Sequence, residues 1–257
     1  SLSPAGERLV VTARGEVFNI PSDKGVTKNI TRTPGAHERN ASWSPDGKYI
    51  AYISDATGET ELYIQPAAGG DAIQLTKNND SYIRSLQWSP DGSKIYYTDR
   101  KNRINQYTVA TRNVSLVMQD PVGEFRDVSI SPDGKYLLTR YWNNHSLKRS
   151  YTYTTLSELK TGKVLLSNAK EGMRWMPKSN LAYYTRKGMK GTELVTLDPT
   201  SKKENILACQ LPEGSFSFGP TEDYLLFSIR EKGPQERKEI QEILVPDDRQ
   251  PGWRNRM

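Results

Sequence analysis

The sequence has very few of the residues on which metal sites, disulfide frameworks and nucleophilic catalysis depend. Its 257 residues include a single cysteine and only two histidines. One cysteine excludes an internal disulfide, and two isolated histidines cannot close a zinc site without carboxylates. We expect Cys209 to be a packed or edge thiol because it ends a strand-like segment. No metal ion or other cofactor is therefore predicted.

The motifs of several enzyme classes are also missing. There is no G-x-S-x-G turn for a nucleophilic serine and no glycine-rich phosphate loop. The H-E-x-x-H motif of zinc proteases is absent as well, since His37-Glu38 is followed by Arg39-Asn40-Ala41. No apolar run approaches the ~18 residues that a membrane span needs, and we find no signal peptide at residue 1. The sequence favours neither a membrane-spanning protein nor an enzyme.

The charge is moderately basic, with 36 Lys and Arg against 30 Asp and Glu and a formal net charge of +6. The basic residues are spread along the chain and no RNA-binding aromatic motif accompanies them, so nucleic acid is not the predicted partner. Hydrophobic residues make up only 35%, but 14 tyrosines and 5 tryptophans argue against disorder. This composition is typical of many thin, half-exposed strands.

A five-residue phrase repeats along the chain. Ser44-Pro45-Asp46-Gly47-Lys48 returns at residues 89–93 and 131–135, and weaker copies surround three other prolines. The six prolines, at positions 4, 45, 90, 132, 177 and 220, are 41 to 45 residues apart. Proline presets one turn dihedral, aspartate accepts backbone N–H groups, and glycine adopts the left-handed conformation. We interpret the phrase as a hairpin turn, here named the anchor, rather than as a catalytic or calcium-binding motif.

Short alternating segments surround each anchor in a constant order. In the second unit they are residues 40–43 before the anchor, and residues 49–54, 61–65 and 73–76 after it. Such alternation predicts strands, and four strands per unit of about 43 residues predict a β-propeller. We expect an all-β propeller of six blades with four antiparallel strands each, forming one domain over residues 1–257. The first unit lacks its innermost strand and the last its outermost, so we expect a piece of a longer polypeptide.

The second unit also carries a family resemblance. Its segments Trp43-Ser44-Pro45-Asp46-Gly47-Lys48, Glu61-Leu62-Tyr63-Ile64 and Gln74-Leu75-Thr76 resemble the propeller repeats of TolB, of the tricorn protease and of related exported bacterial peptidases. The resemblance implies a propeller across essentially the whole chain. It also implies a non-catalytic module for protein or peptide binding, or for substrate gating, in an exported bacterial peptidase or a TolB-like cell-envelope system. A periplasmic or otherwise exported location is implied by the resemblance alone.

The predicted innermost strands provide the candidate site. Apolar residues stand two and four positions before the anchor prolines, where we expect them to pack between blades. Six positions before the prolines stand Arg39, Arg84 and Arg126, which should lie near one mouth of the central channel. Three guanidinium groups there would suit an anionic group, such as the C-terminal carboxylate of a peptide, or an acidic protein surface. The alternative is that each arginine pairs with a neighbouring carboxylate; the candidates are Glu38, Glu124 and Asp127.

Two other functions stay open from the sequence. A propeller enzyme acting on glycans at the central channel would need several carboxylates facing the channel. The inner strands offer mainly Glu38, Asp127 and Glu171 for that purpose. A purely structural scaffold would use none of these side chains.

Overall fold

The computed structural model describes residues 1–120, 124–143, 151–169, 172–189, 191–211 and 214–229. Each repeat unit forms one antiparallel sheet, here named a blade and numbered in chain order. Blade 1 contains β1 (Arg8–Ala13), β2 (Glu16–Pro21) and β3 (Lys28–Asn29). Blade 2 contains β4 (Arg39–Trp43), β5 (Tyr49–Ser54), β6 (Glu61–Pro66) and β7 (Ile73–Gln74). Blade 3 contains β8 (Ile83–Trp88), β9 (Lys94–Asp99), β10 (Arg103–Thr108) and β11 (Asn113–Gln119).

The remaining strands continue the same plan. Blade 4 contains β12 (Glu124–Ile130), β13 (Tyr136–Asn143), β14 (Tyr151–Glu158) and β15 (Val164–Ala169). Blade 5 contains β16 (Arg174–Trp175), β17 (Ala182–Gly188), β18 (Gly191–Leu197) and β19 (Glu204–Leu211). Blade 6 contains β20 (Gly214–Phe218) and β21 (Leu225–Ile229). Each sheet follows chain order, as the propeller prediction requires. Within the described ranges, no helix is long and apolar enough to cross a membrane.

The core is divided among the interfaces between successive blades. One apolar cluster joins Val10 and Val17 of blade 1 to Trp43 and Tyr52 of blade 2. Four further clusters join blades 2 to 6 pairwise in the same way. Five residues two positions before an anchor proline belong to these clusters, namely Trp43, Trp88, Ile130, Trp175 and Phe218, whereas Leu2, before the first anchor, is 57% exposed. The prediction that these positions pack between blades is confirmed.

The anchors are tight turns between the first and second strands of a blade. Ser44 Oγ donates a hydrogen bond to Asp46 Oδ1 at 2.6 Å and accepts the N–H of Tyr49 at 3.0 Å. Equivalent bonds form in the anchors of blades 3 and 4. Gly47 adopts a φ of 71°, in the left-handed region that glycine enters without a steric cost. The interpretation of the phrase as a turn is confirmed.

The anchor geometry persists in blade 6, where the phrase itself has decayed. Glu222 stands at the position of the anchor glycine and keeps a φ of 68°. Its N–H donates to the carbonyl of Gly219 at 2.9 Å, as the N–H of Gly47 does to Ser44 at 2.9 Å. The packed framework therefore holds a glutamate in a conformation that side chains rarely adopt.

A second repeated contact connects the outer strands of a blade. Thr76 Oγ1 donates to Glu61 and accepts the N–H of the residue that follows this glutamate. Thr31 repeats both hydrogen bonds with Glu16 and its neighbour in blade 1. Each threonine lies just past the end of a short outermost strand, β3 or β7, and its hydroxyl accepts a backbone N–H of the neighbouring strand.

The first residues of the chain lie against β1 of blade 1. Leu2 forms an isolated antiparallel bridge with Leu9, and Ser1 exchanges two backbone hydrogen bonds with Val10. Residues 1–3 run beside β1 without forming a strand, so blade 1 is a three-stranded sheet that lacks an innermost strand, as the sequence predicts. The strand predicted at residues 242–245 lies outside the described residues.

Candidate functional site

The three predicted arginines lie where the innermost strands begin. Because strands in a blade are antiparallel, the start of the first strand and the turn between the second and third strands lie at the same end. Arg39 begins β4, whereas Arg84 and Arg126 lie near the beginning of β8 and β12. This end, with Arg39, Tyr82, Arg84, Arg100 and Arg126, is named the arginine mouth below. The side chain of Arg126 lies outside the described residues.

A β-bulge accompanies each of these arginines. The register of β8 with β9 shifts between Ile83 and Ser85, and that of β12 with β13 shifts between Phe125 and Asp127. Arg84 and Arg126 are therefore the extra residues at two equivalent bulges. In blade 2 the register shifts just after Arg39, at a stretch that includes Asn40 with a φ of 54°. Bulges bend a strand and redirect a side chain, and they are frequent at the rims of sheets next to functional sites.

The side chain of Arg39 reaches the neighbouring blade. Its guanidinium donates to the carbonyl oxygen of Ile83 and lies 4.0 Å from the ring centroid of Tyr82. Burial lowers the pKa of the Arg39 guanidinium, and Arg100 lowers it as well, whereas Tyr82 and Asp55 raise it. An arginine with these surroundings stays charged and is partly removed from water, which strengthens its attraction for an anion.

Tyr82 holds a second guanidinium, which the sequence analysis missed. Arg100, in the turn after β9, lies 4.4 Å from the centroid of the same ring, and its N–H donates to the carbonyl of Tyr82 at 3.0 Å. The distances from the ring centroid to the guanidinium groups of Arg39 and Arg100, 4.0 Å and 4.4 Å, both fall within the range of cation–π interactions. One tyrosine thus brings together two like charges from different blades. The repeat gave no signal for this pair because no tyrosine stands at the position of Tyr82 in the other anchored units, although Arg14 and Arg230 stand at that of Arg100.

The alternative of carboxylate pairing does not describe Arg39. Glu38 is buried and accepts a hydrogen bond from Ser54 Oγ at 2.9 Å, while its Oε2 has no partner among the described residues. Asn40 Nδ2 donates to the backbone carbonyl of Arg84 at 2.7 Å, which joins the beginnings of two inner strands. The rim of blades 2 and 3 is therefore connected by backbone acceptors and an aromatic ring.

Two acidic groups beside the arginine mouth, Asp80 and Asp99, have cationic partners in blade 3. Asp80 forms ion pairs with Lys101 at 2.7 Å and with Arg103, and Asp99 accepts the Nε–H of Arg103 at 2.7 Å. Hydrogen bonds from Arg103 and then Lys101 hold the pKa of Asp80 far below its usual value. These carboxylates are compensated within blade 3, so they leave the positive charge of Arg39 and Arg100 in place.

Positive side chains also border a small cleft between blades 4 and 5. The cleft has a volume of about 130 Å³ and is lined by Arg140, Arg174, Ser129 and Thr154, among other residues. Its polar lining and two guanidinium groups suit a small anion. Sequence reasoning missed these arginines because they do not stand six positions before an anchor. In the part of the chain that the structure describes, no group of three His, Cys, Asp or Glu side chains could hold a metal ion.

Comparison with known families identifies the repeat. A family profile described as "Tricorn protease second beta propeller domain" matches residues 1–166. The chain belongs to this family. The predicted resemblance to tricorn-type and TolB-type propellers is thereby confirmed, and so is the all-β propeller fold. A search of curated proteins finds no match to this tricorn-type propeller.

Solved structures with the same fold come from proteins of very different kinds. A protein assigned as TolB from Agrobacterium tumefaciens aligns with a TM-score of 0.57 at 16% identity, covering 81% of this chain and 79% of that one. The tricorn protease gives 0.59 at 12%, covering 81% of this chain but only 21% of the protease. A chain of the mitotic checkpoint complex gives 0.65 at 12%, with 90% and 71% covered. At these identities the similarity shows the fold of the tricorn-type propeller alone.

Proposed function

We propose that this propeller is a non-catalytic binding or gating module whose arginine mouth engages an anionic group of a protein or peptide. The observation that carries the proposal is the repeated bulge at Arg84 and Arg126, with its counterpart beside Arg39. A bulge at the arginine in blades 3 and 4, and just after it in blade 2, supports a site formed by three cations at one end of the inner strands. A peptide C-terminal carboxylate is the anion whose planar geometry a guanidinium matches best.

The surroundings of Arg39 support this role. Its guanidinium is partly buried against Tyr82, and a second guanidinium, that of Arg100, lies against the same ring. Two like charges held together gain from an anion that neutralises both of them. We further propose that the module acts in an exported bacterial peptidase or a TolB-like cell-envelope system, located in the periplasm. The tricorn-type family and the TolB-like fold support this wider assignment.

Binding of a labelled peptide tests the role of the mouth. The probe is one peptide prepared with a free C-terminal carboxylate and again with a C-terminal amide. We expect the carboxylate form to bind more tightly, and the Arg39→Ala, Arg84→Ala, Arg126→Ala variant to weaken its binding by about tenfold or more. The control variant carries Lys24→Ala, Lys163→Ala and Lys202→Ala, three exposed cations in turns at the opposite end of the blades.

The control variant loses the same charge, so general electrostatic attraction is held equal. Equal binding of the carboxylate and amide forms, or equal weakening in both triple variants, would contradict the proposal. Shortening of polysaccharide chains by the purified protein would instead support the glycan-cleaving alternative. Fractionation of the source cells tests location, and recovery of the protein in the cytosolic fraction would exclude the periplasm.

A further inference from the structure

A groove between blades 2 and 3 lies away from the arginine mouth. It has a volume of about 720 Å³, within the range of ligand-binding cavities. It is bordered by two anchor turns, which lie at the opposite end of the blades from the mouth, and by the outer strands β7 and β11. Its apolar lining comprises Ile64, Leu75, Trp88, Tyr107, Val109 and Val114, among others.

The groove exists because neighbouring blades have outer strands of unequal length. β7 has two residues and β11 has seven, so β7 covers little of the facing blade. Ile73 and Val114, on opposite walls, are left 49% and 48% exposed. β7 pairs with β6 alone among the strands that the structure describes, which leaves its outer backbone edge available. An unpaired strand edge beside apolar side chains is the arrangement to which an extended peptide adds.

The groove carries two positive side chains that no carboxylate of the described chain pairs with. Lys77 and Arg112 line it, and neither side chain has an ion pair or hydrogen bond with another described residue. Of the acidic lining groups, Asp46 pairs with Lys48 at 3.6 Å, and Asp91 keeps its negative charge while it accepts hydrogen bonds from the hydroxyls of Ser89 and Ser93 at the anchor turn. The groove therefore combines an apolar floor with two cations that lack a partner within the described chain.

We propose that this groove binds an extended peptide segment of a partner protein, with alternating apolar side chains and flanking carboxylates. The apolar side chains lie on the floor formed around Trp88 and Tyr107, and the carboxylates contact Lys77 and Arg112. The peptide backbone runs beside the free edge of β7. This site and the arginine mouth lie at different places on the molecule, so each can be tested without the other.

Fluorescence anisotropy with a defined peptide tests the proposal on the 257-residue chain. The probe is an acetylated, amidated nonapeptide in which leucine and serine alternate and glutamate stands at both ends. We expect saturable binding that is lost when the leucines become serines and is weakened when the glutamates become lysines. Two double variants should each weaken binding by about tenfold. One combines Ile73→Ser with Val114→Ser, and the other combines Lys77→Glu with Arg112→Glu.

Matched variants on blade 1 serve as controls. Val26→Ser removes an apolar side chain that is 75% exposed, and Lys24→Glu reverses an exposed charge, both outside the groove. Neither of them, nor the triple alanine variant of the arginine mouth, should change the affinity. Absence of binding to the wild type, or equal affinity in groove and control variants, would overturn the proposal. Self-association of the protein that the groove variants abolish would also overturn it, because a second copy would then be the occupant.

Discussion

Trp88 of blade 3 donates its indole N–H to the backbone carbonyl of Ser42 in blade 2, at 3.3 Å. Trp175 of blade 5 makes the same bond to Ser129 in blade 4, at 3.0 Å. Each donor stands two positions before an anchor proline, and each acceptor stands three positions before the preceding one. The repeat period therefore places a polar bond, as well as apolar contacts, at the same depth between blades.

Trp43 allows the energy of this bond to be measured. It has the same position in blade 2, but its Nε1 is buried without a hydrogen-bond partner in the described part of the chain. Trp43 and Trp88 are 8% and 7% exposed, so replacement by phenylalanine removes similar packing. We expect Trp88→Phe to lower the free energy of unfolding by about 1 kcal/mol more than Trp43→Phe. Urea unfolding measures both, and equal losses would show that the bond contributes nothing.

The threonines of the outer strands provide a second matched pair. Thr76→Val and Thr31→Val each remove two hydrogen bonds, to a glutamate and to a backbone N–H. Glu61 is 1% exposed, whereas Glu16 is only partly buried. Water can therefore replace the lost threonine hydroxyl at Glu16 more readily than at Glu61. We expect Thr76→Val to cost about 1–3 kcal/mol and Thr31→Val clearly less. Thermal unfolding of the two variants provides the measurement, and a larger loss for Thr31→Val would contradict it.

The anchor aspartates predict how stability depends on pH. Hydrogen bonds from Ser44 to Asp46, and from Ser89 to Asp91, lower the pKa of each carboxyl. Folding therefore favours the ionised form, and this contribution is fully present above the ordinary aspartate pKa of about 3.9. It is lost as the pH falls through the lower pKa values of the folded state. The effect should be modest because both turns are exposed.

Unfolding in urea between about pH 5 and about pH 3 tests this dependence, over a range set by about one unit on each side of the ordinary pKa. We expect the loss of stability below pH 4 to be smaller in the Asp46→Asn, Asp91→Asn variant. The variant Asp23→Asn, Asp71→Asn changes the same charge at exposed positions and should follow the wild type. An unchanged pH profile in the anchor variant would contradict the role given to the serine hydroxyls.

The arginine mouth predicts an energetic coupling across a blade interface. Arg39 of blade 2 lies over the ring of Tyr82, which leads into blade 3. A double-mutant cycle with Arg39→Ala and Tyr82→Ala should give a coupling of about 0.5–1 kcal/mol in the free energy of unfolding. The equivalent cycle with Arg100 should give less, since Arg100 is more exposed and its side chain donates no hydrogen bond to another residue in the described part of the chain. A coupling near zero for both pairs would mean that the ring does not organise the mouth.

The sequence by itself determined the repeat, the anchors and the apolar positions between blades. Prolines at a regular spacing define the turns, and alternation defines the strands, because both signals are local and recur six times. These signals were sufficient for the propeller and for the burial of Trp43, Trp88 and Trp175 near the blade interfaces. They also placed Arg39 and Arg84 at one end of the inner strands.

Tertiary structure alone decided which side chains meet between blades. No tyrosine recurs at the position of Tyr82, so only the packing of blade 2 on blade 3 brings this ring, with Arg100 against it, to Arg39. The groove beside β7 depends on the unequal lengths of two outer strands, which no local pattern specifies. Glu222 shows the same limit, since the fold keeps the left-handed turn after the glycine that signals it is gone. Contacts between distant segments depend on how whole blades pack against each other. The spacing of the repeats in the sequence carries no information about these contacts.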